Sequence, residues 1–148
     1  MKIFIGSDHN GYRLKLKIKT LLINNGHEVI DDGDDAPNPK DDFPVFASRV
    51  VSDMLASDEN EPRGILVCGS GQGMAMAANR FKGIRASIAW DSAEAKMARN
   101  DDDSNVLCLP ARVVDVDHAL SIVRTWIDTP FSGASRFTRR IKELDELG

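Results

Sequence analysis

The sequence predicts an α/β protein: a doubly wound, five-stranded parallel sheet inside a three-layer α/β/α sandwich. Two observations predict it. Short apolar runs alternate with amphipathic stretches of helical period along the whole chain. Clusters of Gly, Pro, Asn and Asp separate them. A third observation bounds the answer: 148 residues without an internal repeat make one domain, 1–148, long enough to bury a single core.

The elements follow in order. Residues 2–6 (KIFIG) read as a buried strand. Residues 11–25 read as a helix, with Leu14, Ile18, Leu21 and Leu22 on one face. Lys15, Lys17 and Lys19 are expected on its wet side, and Gly26 stops it. A strand at 27–31 leads into an Asp/Pro-rich loop, 31–42. The helix at 43–57 carries Phe43, Phe46, Ala47, Val50, Val51, Met54 and Leu55 on one face. Strand 64–68 (GILVC), a glycine turn and a helix at 73–81 come next. Strand 84–88, helix 92–100 and strand 105–109 complete the sheet. Helices at 116–128 and 136–147 close the chain. The crossovers are expected to be right-handed.

Composition excludes several classes. The 19 Lys and Arg against 23 Asp and Glu give −4, which argues against a nucleic-acid binder. No stretch approaches the roughly 20 apolar residues that span a bilayer. The opening MKIFIGSDHNG lacks the apolar run of a signal peptide. Cys68 and Cys108 are too few for a disulfide framework or a four-cysteine zinc site. A reducing, cytoplasmic setting is the default expectation. The Asp clusters at 31–35, 41–42 and 101–103 are expected to be solvated loops. No metal and no cofactor is expected.

In open parallel sheets ligands bind beyond the carboxyl ends of the strands. That rule singles out Ser7-Asp8-His9, the run from Cys68 to Gly73, Asp91, and Pro110-Ala111-Arg112. Gly69, Gly71 and Gly73 remove side chains where backbone N–H groups could face an anion. The spacing is neither the dinucleotide pattern nor a P-loop. A tight strand-to-helix turn is the alternative. Cys68 precedes this turn, and a helix N-terminus favours thiolate. A thiolate beside an N–H cradle can take a proton from carbon and hold the enediolate that results. The alternative for Cys68 is a small core cysteine, a reading that fits Cys108.

Asp8 and His9 suit sugar hydroxyls and phosphate, with an N-cap as the alternative for Asp8 or Asn10. A phosphoryl-accepting receiver domain is rejected, because Cys68 and Pro110 stand where it needs Asp and Lys. Arg136 and Arg140 share one helix face, and with Arg112 they could converge on a phosphate dianion. For each arginine alone a solvated role is the alternative.

GSDHNGYRLK at 6–15, GILVCGSGQGMAMAANRFKGIRA at 64–86, NVLCLPARVV at 105–114 and the Arg-rich tail resemble the type B ribose-5-phosphate isomerases, which belong with the galactose-6-phosphate isomerase subunits. The resemblance runs through essentially the whole chain. It implies a Rossmann-like fold and metal-free aldose–ketose isomerisation of a phosphosugar. It also implies a homodimer or homotetramer with sites shared between subunits, and the helix at 136–147 is expected to pack on a partner. Carried over residue by residue, the resemblance implies that Cys68 is the base acting between C1 and C2. It implies that Ser70 and the N–H groups of Gly69, Gly71 and Gly73 stabilise the enediolate, that Asp8 binds hydroxyls, and that His9, Arg112, Arg136 and Arg140 hold the phosphate.

The sequence departs from that family in two places. Asp101 stands where the family has its ring-opening His, and Phe137 where it has a phosphate-binding His. His27 and His118 are no obvious substitutes. Three readings follow. Asp101 or Asp102 opens the ring, or the open form is captured. Alternatively the substrate is a tetrose 4-phosphate such as erythrose 4-phosphate, which forms no furanose, or a hexose 6-phosphate. Otherwise the chain only binds phosphosugars.

Overall fold

A computed structural model describes residues 1–148. Five strands form one sheet: β1 (Lys2–Ser7), β2 (Glu28–Asp31), β3 (Arg63–Cys68), β4 (Ala86–Ile88) and β5 (Val106–Pro110). All pairings are parallel, in the order β2-β1-β3-β5-β4. The helices are α1 (Tyr12–Asn24), α2 (Phe43–Ala56), α3 (Gln72–Ala78), α4 (Ser92–Asp102), α5 (Val116–Asp128) and α6 (Ser135–Asp145).

Strand side chains alternate between two apolar layers. Ile3, Ile5, Ile65, Val67, Leu107 and Leu109 pack against α1 and α5, where Ile18, Ile122 and Trp126 are fully buried. Phe4, Leu66, Cys68, Val106 and Cys108 face α2 and α3, against Val50, Met54 and Met74. The expected sandwich is therefore what the chain forms. The strand order reverses between β1 and β3, so the segments after these two strands flank one crevice.

Several boundaries differ from the expectation, each for a local reason. A 3₁₀ turn, His9–Gly11, precedes α1 because Asp8 caps it with its side chain. The helix expected at 73–81 ends at Ala78. The Asn79 side chain leaves the helix and bonds both backbone groups of Ala86, at 2.8 and 2.9 Å. The strand expected from 84 starts at Ala86, since the Arg85 N–H is taken by Asn105 Oδ1 at 2.8 Å. The last helix runs Ser135–Asp145 and buries no residue.

Lys15, expected on the wet side of its helix, is only 1% exposed. Its stem packs inside while Nζ meets Asp31 Oδ1 at 3.0 Å. Burial works against the Asp31 carboxylate, yet the Gly33 N–H and the Lys15 ammonium together hold it below the usual range. No helix is long and apolar enough to cross a membrane.

Candidate active site

At the end of β1 the chain turns hard. Asp8 Oδ1 accepts from the N–H groups of Asn10 (3.0 Å) and Gly11 (3.2 Å). A Cβ on Gly11 would stand 2.6 Å from the Val67 carbonyl oxygen, so this turn lies flush on β3. The cap and the site are one feature: the cap hydrogen bonds fall on Oδ1 alone, and Asp8 lines the same cleft as Cys68. The two readings of Asp8 are thus compatible.

Cys68 ends β3 and is 5% exposed. Gly71, at φ +76°, takes a left-handed turn that side-chain-bearing residues adopt at a cost. That turn aims its N–H at Cys68 Sγ, 3.2 Å away. The Gly71 N–H, expected to face an enediolate, is directed at the sulfur itself. Ser70 Oγ accepts the Gln72 N–H at 3.3 Å. The N–H groups of Ser70, Gly73 and Met74 have no acceptor within the chain.

A cleft of about 300 Å³ opens over these groups. Asp8, Asn10, Cys68, Gly69, Ser70 and Arg112 give its polar lining; Gly73 completes the floor, with Phe43 and Val113 as apolar walls. Arg112 lies against Gly69 and donates from Nη2 to Asn10 Oδ1 at 2.9 Å. Gly73 has no room for a Cβ, which would meet the Phe43 ring at 2.7 Å.

Cys108 fits its core reading. It is fully buried, and burial first and Cys68 second push its thiol far above the ordinary range. That thiol stays protonated and inert. His27 bonds the N-terminal amine at the far end of the sheet. His118 lies exposed, its Nε2 2.8 Å from the Trp90 carbonyl oxygen.

The expected residues divide into two groups. Asp8, Cys68, Gly69, Ser70, Gly73 and Arg112 meet at the cleft, with His9 beside Asp8. Asp101, Asp102, Arg136 and Arg140 lie outside its lining. Asp102 borders another hollow of about 640 Å³, with Ser87, Ser104 and Leu144. Burial first, then the Asp101 carboxylate, raise the Asp102 carboxyl above its usual range, and Arg140 opposes them. Asp101 Oδ1 accepts from Asn100 Nδ2 at 2.7 Å. The Arg136 guanidinium stacks on Phe137, 4.3 Å from the ring centre.

The sequence carries no site signal for three residues here. Phe43 reads only as helix core, Val113 has no distinguishing pattern, and Asp41 falls in a run whose composition predicts a solvated loop. Asp41 instead sits with Oδ1 2.7 Å from His9 Nδ1. Asp8, His9 and Asp41 also form the one group of three whose ligand atoms, within 4.8 Å of each other, could close on a cation.

The ribose/galactose isomerase family matches residues 3–144. The chain belongs to this family. A ribose-5-phosphate isomerase B of Mycobacterium tuberculosis is 36% identical, covering 99% of this chain and 89% of its own. A solved ribose-5-phosphate isomerase B from Clostridium thermocellum superposes with a TM-score of 0.93 at 42% identity, over 99% of this chain and 96% of that one. The enzyme from Mycoplasma genitalium, solved with bound ribulose 5-phosphate, gives 0.91 at 38% identity, over 97% and 93%. The ribose/galactose isomerase fold is thus present from β1 to α6, and the cleft after β3 is where this chain gathers its chemical groups.

Proposed function

We propose that this member of the ribose/galactose isomerase family is an aldose–ketose isomerase of phosphosugars, interconverting ribose 5-phosphate and ribulose 5-phosphate. The observation that carries the reading is a sulfur at the floor of a cleft, held by an N–H, with further N–H groups free beside it. Cys68 as thiolate takes the proton from C2 of the open aldose. The electron pair moves into a C1–C2 double bond, and the aldehyde oxygen O1 gains negative charge. The free N–H groups and the Ser70 hydroxyl stabilise that enediolate. The Cys68 thiol then returns the proton to C1. The hydroxyl proton moves from O2 to O1, and the ketose results. Asp8 Oδ2 orients substrate hydroxyls. His9 and Arg112 take the phosphate end.

Asp101, Asp102, Arg136 and Arg140 of a second copy complete the site in this reading, as part of a homodimer or homotetramer. What supports this is α6: it carries both arginines, buries no residue, and leaves Leu144 49% exposed. Asp102, the carboxyl raised above its usual range, is the acid for ring opening in place of the family's histidine.

The test is solvent deuterium exchange at C2, with ketose formation, assayed on ribose 5-phosphate and a tetrose 4-phosphate side by side. Cys68→Ala is expected to lower both by about 10²–10⁴-fold. Exchange persisting at the wild-type rate in that variant removes Cys68 from the mechanism. Turnover of the tetrose alone transfers the assignment to a substrate that needs no ring opening.

A further inference from the structure

We infer that Asp41 is a positioning residue: its carboxylate fixes the ring orientation and tautomer of His9, so that Nε2 is presented to the substrate. What His9 binds rests on the isomerase reading above; the positioning rests on geometry. Asp41 Oδ1 lies 2.7 Å from His9 Nδ1, and its side chain is 8% exposed against 31% for the imidazole. An ionised carboxylate can only accept, so Nδ1 carries the hydrogen. Nε2 has no partner within the chain. Asp8, the other carboxylate nearby, already accepts two backbone N–H groups at Oδ1. Asp41 is therefore the carboxylate that the ring engages.

An exposed ion pair between mobile side chains contributes little. This one is held on both sides. The His9 turn is locked by the Asp8 cap and by the close approach of Gly11 to β3. The loop that delivers Asp41 is pinned to α1, which begins directly after that turn. Lys15 Nζ donates to Asp31 Oδ1 at 3.0 Å and to the Asp34 carbonyl at 3.4 Å. The Tyr12 hydroxyl donates to the Asp35 carbonyl. Nearer its end, the Asp41 N–H bonds the Asn38 carbonyl at 3.0 Å. The acceptor is thus fixed before substrate arrives, as a supporting contact must be to orient a binding group.

Asp41→Ala and Asp41→Asn in the full chain test this. Asp41→Ala is expected to raise KM for ribose 5-phosphate about tenfold while kcat stays within about twofold. Asp41→Asn, whose amide oxygen still accepts from Nδ1–H, is expected to recover most of that loss. Long-range ¹H–¹⁵N spectra at about pH 8 are expected to show His9 as the Nδ1–H form in the wild type, with the Nε2–H form growing in Asp41→Ala. An imidazole spectrum unchanged in Asp41→Ala overturns the inference, as does a fall in kcat with KM unchanged. Should Asp41→Ala fail to fold, Asp41→Ser, too short to reach Nδ1, decides by the same two measurements: a shifted tautomer with a raised KM upholds the positioning role, and an unshifted spectrum with a wild-type KM overturns it. A wild-type chain that isomerises no phosphosugar sinks the isomerase reading instead. The imidazole spectrum and a titration with inorganic phosphate then decide. A tautomer shift with weaker phosphate binding in Asp41→Ala upholds the positioning role, and no change in either overturns it.

Discussion

At the scale of residues, environment separates groups of the same type. Cys68 and Cys108 face the same layer of the sandwich, one at the end of β3 and one inside β5. Only Cys68 meets a backbone N–H at a cleft; Cys108 is closed in on every side. The aspartates divide in the same way. Lys15 and Gly33 keep Asp31 ionised, whereas its neighbour Asp32 has Oδ2 buried without a partner. Burial first, then Asp53 and Asp31, push the Asp32 carboxyl up to about 7 from 3.8. Its folded-state value is raised, so folding takes up a proton. The stabilisation is fully present below about pH 4 and is lost as pH climbs through about 7. Asp32→Asn removes that dependence. It is expected to stabilise the chain at about pH 8 by on the order of 1 kcal/mol, with solvent screening of this half-exposed group allowed for. Urea midpoints at about pH 5 and 8 check it, and an unaltered pH slope in the variant counts against this account of Asp32.

At the scale of elements, short turns do the positioning. Three glycines bring three backbones together: Gly11 sets the 3₁₀ turn on β3, Gly71 bends toward the sulfur, and Gly73 lets α2 close over the cleft through Phe43. Gly11→Ala is expected to lower stability by about 2 kcal/mol, because its methyl meets a strand carbonyl that cannot give way. It should also weaken activity, by lifting Asp8 and His9 from the rim. A wild-type denaturation midpoint in that variant would show that the turn has slack. The same scale explains α3. It stops at Ala78 because Asn79 substitutes its amide for a strand partner at Ala86.

At the scale of the whole molecule, the proposed site groups fall in two places on one chain. Cys68, the free N–H groups and Arg112 surround one hollow; Asp102 borders another, and Arg140 is near enough to act on its carboxyl. If two copies share each site, Cys68→Ala and Arg140→Ala subunits co-assembled in equal amounts should regain about a quarter of wild-type activity, from hybrids with one intact site. Each variant alone should remain nearly inactive. No recovery in verified hybrids places all the chemistry within one subunit.

The sequence by itself determined the α/β sandwich, the order of strands and helices along the chain, and the rim residues Asp8, Cys68, Ser70 and Arg112. Apolar period and turn chemistry are local properties, and an open parallel sheet puts its strand ends on one rim. The tertiary structure alone decided which aspartate meets which cation or imidazole. Asp41 reaches His9 across 32 positions, and Lys15 sinks inside because Asp31 waits there. It also decided that Gly71 serves the sulfur, and that the tail arginines lie apart from Cys68 within one chain. The side-chain pairings follow from how distant segments pack, which no local pattern encodes; the Gly71 contact spans only three positions but needs the left-handed turn that the packed chain imposes there.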